Sequence, residues 1–316
     1  MLMGMADFRI GGTIVRSVTG REQVLMLPEL IQAGLRIDFQ GGHAKDVCLF
    51  GIDTASIAGD IVSDMADEFS SAPVNMVCDS RVPGWVSEDT VCIVISYADP
   101  GEEMARVCST LHDKGCRVYL VSSSDIGVEG VPTVHVPGGL DPRAASGFVL
   151  GVVCRMLQSL GTFDAADRLE DELDRLIEFR DALRDRGCGP VPLPEGAVPV
   201  TYSTSDIHAC SKAWKYVMGM HGKELSFYGE LPEFDHNELV GWSDRNVHAP
   251  ELSMVVMRGD SHKGLVSTIV ECMSEVLKEN GRDVVPVALG DGTATSRNLR
   301  GTLLGYCLSI DQEGSE

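Results

Sequence analysis

The chain of 316 residues is long enough for two domains, and 44% hydrophobic with 23% charged residues is the composition of a globular protein able to bury a core in each. A formal net charge of −21 argues against nucleic acid and against an anionic membrane as partners. No run reaches the ~18 apolar residues that a membrane span needs. The start MLMGMADFRIGG has neither a basic region nor a long apolar one, so a cytoplasmic protein is expected.

In chain order, DVCLFGI (Asp46–Ile52) is a short apolar run ending in a turn and predicts a buried strand. From Ser56 to Phe69, the residues Ile57, Ile61, Met65 and Phe69 share one helical face. VNMVC and TVCIVIS predict two more strands, Gly101–His112 a helix, RVYLVS a strand, VPTVHVP a shorter strand, and Pro142–Leu160 a helix. Asp164–Arg186 is dense in charge, with a narrow stripe of Leu169, Leu173, Leu176, Ile177 and Leu183. That is an amphipathic helix whose solvated charges need no functional role.

Gly187-Cys188-Gly189-Pro190, followed by Pro192 and Pro194, breaks the pattern and marks a boundary. Beyond it VPVTYS predicts a strand, Ala209–Met220 a helix, LSMVVM a strand, His262–Glu279 a helix, DVVPVAL a strand and Ser296–Ser309 a helix. Strands alternating with helices predict an α/β fold of parallel sheets covered on both faces. The expected organisation is a first domain over residues 1–160, a linking helix and Pro/Gly boundary over 161–190, and a second domain over 191–316.

The ten cysteines include no CxxC pair, and several lie in apolar runs. Buried thiols in a reducing compartment fit this pattern better than disulfides or a metal centre, and no metal is expected.

Ligands of parallel α/β sheets bind outside the carboxyl ends of strands, often at helix N-termini. Four stretches stand at such places. In Gly51–Asp60, Thr54 and Ser56 supply hydroxyls near a helix start, where a plain N-cap is the simpler role. Ser96 and Tyr97 follow the strand VCIVIS, but Asp99, Glu102 and Glu103 crowd the next helix start and favour a self-capped helix over an anion cradle. In PGGLDPR, Asp141 and Pro142 are good starting residues for a helix, while Arg143 sits where the helix dipole opposes a cation and hints at an anionic partner. Glu238 follows His236 and Asn237 in GELPEFDHNELVGW, and His262 follows the strand LSMVVM. A carboxylate and a histidine of this kind are suited to proton transfer.

Taken together, GIDTASIAGD, VPGWVSEDTVCIVISYADPGEE, PGGLDPRAASG, AWKYVMGMHGK, GELPEFDHNELVGW and MRGDSH resemble, in one order, the bifunctional phosphoglucose/phosphomannose isomerases built from two sugar-isomerase (SIS) domains. The resemblance runs from about Leu27-Pro28-Glu29 to Ser309, and its most specific segment is the PExxHNE-like PEFDHNE. It implies two SIS domains and interconversion of glucose 6-phosphate or mannose 6-phosphate with fructose 6-phosphate through a cis-enediol. By position, Glu238 would be the base, His262 the ring-opening group and Arg143 the stabiliser of enediolate charge. Thr54, Ser56, Ser96, Tyr97 and His236 would line the substrate site. The resemblance also implies a homodimer in which the histidine comes from the partner subunit, a sugar phosphate or related sugar derivative as ligand, and no cofactor.

The chain departs from the family's pattern in its first loop, GMGGSGIGGD, where Gly-Gly-Ser becomes Asp53-Thr54-Ala55. In the second loop, SYSGNTEET, Ser96 and Tyr97 persist, but Ala98, Asp99-Pro100 and Gly101 replace the second serine, Gly-Asn and the threonine. Tyr306 replaces the aspartate of the family's terminal segment, and no lysine follows Lys278. Carboxylates beside a phosphate dianion repel it. A second expectation therefore stands next to the isomerase: a catalytically degenerate paralogue that binds a sugar derivative or a protein partner as a regulator.

Overall fold

A short antiparallel hairpin, β1 (Arg9–Ile10) with β2 (Thr13–Ile14), opens the chain, and α1 (Gly20–Leu25) and α2 (Leu27–Leu35) follow. The computed structural model describes residues 8–10, 12–97, 101–186, 191, 193, 196–242, 252–259, 265–279 and 284–313. Two compact units divide the chain between Ile177 and Glu178.

The first unit holds β3 (Val47–Phe50), α3 (Thr54–Phe69), β4 (Val74–Val77), β5 (Val91–Ile95), α4 (Gly101–Asp113), β6 (Arg117–Ser122), β7 (Thr133–His135) and α5 (Pro142–Ser159). Its five strands lie in the order β4-β3-β5-β6-β7, and every neighbouring pair is parallel. The strands β3 and β5 are buried along their whole length, as expected of strands covered on both faces. On one face Cys48, Phe50, Cys92 and Val94 pack against Val107, Cys108 and Leu111 of α4.

α6 (Ala165–Glu170) and α7 (Leu173–Arg186) replace the single helix expected over Asp164–Arg186. The first ends with the Asp171 and Glu172 amides donating to Asp167 and Leu169 carbonyls. Glu172 is buried and pairs with Arg175 at 2.8 Å, so its charge turns inward at the break.

The second unit holds β8 (Val198–Thr204), α8 (His208–Met220), β9 (Phe227–Leu231), α9 (Glu233–Asn237), β10 (Leu252–Arg258), α10 (Leu265–Glu279), β11 (Val284–Ala288) and α11 (Ala294–Glu313). Its strands lie in the order β11-β10-β8-β9, again all parallel. Successive residues of β10 face opposite sides. Met254 and Val256 join a core with Tyr202, Phe234 and Met273, while Val255 and Met257 join another with Trp214, Val287 and Leu289. The edge strand β9 and α9 escape the sequence patterns, because FYGEL carries a glycine and a glutamate and shows no apolar alternation.

Among the described cysteines, Cys48, Cys92, Cys108, Cys116, Cys154, Cys210 and Cys307 are buried, and Cys78 and Cys272 are exposed. Burial pushes the Cys48 thiol up to about 12 and the Cys108 thiol up to about 11. Since the thiolate is the reactive form, a thiol reagent at neutral pH is expected to modify Cys78 and Cys272 rapidly and the seven buried thiols only after denaturation. Peptide mapping after brief alkylation checks this. No group of three or more potential metal ligands occurs among the described residues.

Candidate active site

A parallel sheet opens a crevice where the helices of adjacent strands leave on opposite faces. In the order β4-β3-β5-β6-β7 that place lies between β3 and β5. A cavity of about 230 Å³ occupies it, lined by Asp53, Thr54 and Ala55 at the start of α3, by Ser96 and Tyr97 after β5, and by Ser146 of α5 among others. The sixteen-residue α3 directs its N-terminus here, where the helix dipole favours a negative or hydrogen-bond-accepting group.

The side chains there do not follow that preference. Asp53 occupies the N-cap of α3 at φ 58°, ψ −141°, yet makes no side-chain cap bond. An L residue at such a φ is strained, and glycine is the residue that adopts it freely. Its exposed carboxylate lines the cavity, and Ala55 beside it brings no hydroxyl. Neither Thr54 nor Ser56 is the cap. Ser56 is buried and donates to the Asp53 carbonyl at 2.8 Å, so its hydroxyl serves the helix's own first turn. Thr54 and Ser96 do line the cavity. Asp99 lies outside the described residues.

Tyr97 carries a structural duty in addition to lining the cavity. Its hydroxyl accepts from the Leu140 amide at 2.7 Å and lies 3.1 Å from the Pro137 carbonyl, to which it donates. Burial pushes the phenol up to about 12, so it stays protonated. It pins the Pro137–Leu140 loop, and through it the start of α5, to the end of β5. Tyr97→Phe is expected to cost about 1–3 kcal/mol, the penalty for unsatisfied buried partners; urea denaturation of both proteins measures it.

Arg143 is buried at 2% exposure, and the anion that the sequence hinted at is supplied by the chain itself. Asp141 accepts from Arg143 Nε at 2.9 Å and from Nη2 at 2.7 Å, while also capping α5 by accepting from the Arg143 amide. A buried guanidinium needs such a bidentate partner.

The second unit treats its own crevice differently. In the order β11-β10-β8-β9 the opening falls between β8 and β10. Arg297 of α11 lies across it, donating to Asp206 at 3.0 Å and to the Gly292 carbonyl at 2.8 Å. A Cβ on Gly259, just past β10, would come within 2.5 Å of the Arg297 side chain. The chain thus fills this crevice with its own ion pair.

The carboxylate of greatest interest in the second unit lies beside this sheet. Glu238 follows the last turn of α9, its amide donating to Phe234 at 2.9 Å and its carbonyl accepting from Gly241 at 2.8 Å. The residue is exposed, but its Oε2 accepts a hydrogen bond from the buried Tyr202 hydroxyl of β8. His236 stands exposed in the last turn of α9. His262 lies outside the described residues. Tyr202 is the residue that sequence reasoning missed, because an apolar strand such as VPVTYS reads as core and carries no mark of a polar tip at its buried tyrosine.

Residues 194–311 match the family of bacterial phospho-glucose isomerase C-terminal SIS domains. The chain also resembles the C-terminal domain of glucosamine-fructose-6-phosphate aminotransferase from Francisella tularensis, with a TM-score of 0.67 at 11% identity, covering 93% of this chain and 95% of that one. Two helix-covered parallel sheets of this kind define a double SIS-domain α/β protein. Over 257 residues the chain is 27% identical to a bifunctional phosphoglucose/phosphomannose isomerase from Aquifex aeolicus, covering 79% of this chain and 78% of that one. A second isomerase of that name, from Thermoplasma volcanium, is 26% identical, covering 77% of each. Over more than three quarters of its length the chain is therefore similar to bifunctional phosphoglucose/phosphomannose isomerases, at the distance of a divergent relative.

Proposed function

We propose that the protein is an aldose–ketose isomerase acting on a sugar phosphate, interconverting glucose 6-phosphate or mannose 6-phosphate with fructose 6-phosphate through a cis-enediol. Glu238 is the base that moves the proton between C1 and C2, His262 opens the ring, and Arg143 stabilises the enediolate. The protein works as a cytoplasmic homodimer, with His262 supplied by the partner subunit, and needs no cofactor. The observation that carries this reading is the Glu238 carboxylate, held at Oε2 by Tyr202 within the PEFDHNE segment. The names of the relatives from Aquifex aeolicus and Thermoplasma volcanium support the same chemistry.

A coupled assay with the three sugar phosphates, comparing wild type with Glu238→Gln, tests the proposal; turnover no higher than that of the variant would sink it. A second reading, a degenerate paralogue that binds a sugar derivative or a protein partner as a regulator, draws on Asp53 and Ala55 in the first unit's cavity. Thermal shift with phosphorylated and unphosphorylated sugars separates the two. Stabilisation by unphosphorylated sugars alone, without turnover, favours the regulator.

A further inference from the structure

We infer that Tyr202 is a positioning residue that holds the Glu238 carboxylate in one orientation, with Trp242 fixing the direction of its hydroxyl. This rests on the reading of Glu238 as the base and adds to it two residues that the sequence did not single out.

The arrangement is built from the strand pairing outward. Tyr202 of β8 stands opposite Gly229 of β9. A Cβ at Gly229 would lie 2.5 Å from the Tyr202 ring, so the glycine that opens the GELPEFDHNELVGW segment is the space the ring occupies. Phe234 of α9 and Trp242, at the end of the short 3-10 turn Leu239–Trp242, pack edge-on against that ring at 4.6 and 6.4 Å between centroids. The ring is fully buried and has no room to swing.

The polar tip follows from donor and acceptor counting. The Trp242 indole N–H can only donate, and it reaches the Tyr202 oxygen at 3.2 Å. With that lone pair taken, the single hydroxyl proton of Tyr202 goes to Glu238 Oε2. Burial first, and Glu238 second, push the Tyr202 phenol far up, so it donates the bond without exchanging the proton in turnover. Among the described residues none donates to Oε1, which is left for the substrate. The Glu238 backbone is tied by its own amide and carbonyl. An exposed glutamate with no further tether would sample several rotamers, and proton transfer demands placement within about 0.5 Å. The tether leaves one.

Tyr202→Phe keeps the ring packing and removes only the hydroxyl. Its kcat for the sugar-phosphate interconversion is expected to fall by roughly tenfold to a hundredfold, the scale of a mispositioned catalytic group. KM should stay within about twofold, because ground-state binding is untouched. In wild type, NMR of tyrosine-labelled protein should show one hydroxyl proton protected from solvent exchange. The signal should vanish in Tyr202→Phe and move in Glu238→Gln. Trp242→Phe removes the orienting N–H, and should lower kcat by a smaller factor and speed exchange of that proton.

A wild-type kcat in Tyr202→Phe, or no protected hydroxyl proton in wild type, overturns the inference. Should Tyr202→Phe fail to fold, an unchanged hydroxyl signal and an unchanged kcat in Trp242→Phe overturn it instead. A wild-type protein that turns over none of the three sugar phosphates removes the isomerase reading, and the hydroxyl proton then decides the contact by itself.

Discussion

Glu238→Gln is expected to lower kcat for the proposed isomerisation by about 10² to 10⁴-fold, the usual contribution of a positioned general base. It is expected to leave the midpoint of thermal unfolding almost unmoved. Glu238 is exposed, and the amide oxygen of glutamine can still accept from the Tyr202 hydroxyl. Glu238→Ala separates the two effects. It removes the base as well, but it also leaves the buried Tyr202 hydroxyl without its acceptor, at a cost of about 1–3 kcal/mol. Rate and stability measured on all three proteins should therefore show equal activity losses and unequal stability losses. Substantial activity in Glu238→Gln removes the carboxylate from its role as base.

The second large effect concerns the first unit's cavity. The double variant Asp53→Gly, Ala55→Ser removes a carboxylate and adds a hydroxyl at the N-terminus of α3. One charge-assisted hydrogen bond contributes about 1.5–3 kcal/mol, so binding of glucose 6-phosphate should tighten by roughly tenfold to a hundredfold. Binding of unphosphorylated glucose should stay as it is. The variant should also fold at least as well, since glycine relieves the strain of an L residue at φ 58°. Isothermal titration of wild type and variant with both sugars reads the difference. An unchanged affinity for the phosphorylated sugar would place the phosphate elsewhere.

The physical content of this cavity is a contest between backbone and side chain. The helix start offers amides to an anion, and Asp53 brings an anion of its own. In the second unit the contest is already closed, because Arg297 and Asp206 neutralise one another across the corresponding crevice. Two units of similar architecture thus present one open crevice and one that the chain fills.

Much of the fold was legible because its signals are local. The fully buried strands β3 and β5 are unbroken apolar runs, and α3 and α10 keep apolar residues at helical spacing. What escaped depends on partners distant in sequence. The edge strand β9 is a strand only because β8 offers it a ladder. The break between α6 and α7 follows from Glu172 turning inward to Arg175, which no periodicity announces.

For the site, the residue types and the order of the motifs were enough to single out Glu238, Arg143 and the hydroxyls near the start of α3. The sequence alone determined the parallel α/β class and the HNE segment, because apolar periodicity and turn chemistry act over a few residues at a time. Only the tertiary structure decided how those groups are engaged. It gave Arg143 to Asp141, Ser56 to its own helix turn, Tyr97 to the Pro137–Leu140 loop, and Glu238 to Tyr202. The reason is that a hydrogen bond is made by groups brought together in space, and Tyr202 and Glu238 meet only after β9 has paired with β8 and a glycine has made room for the ring.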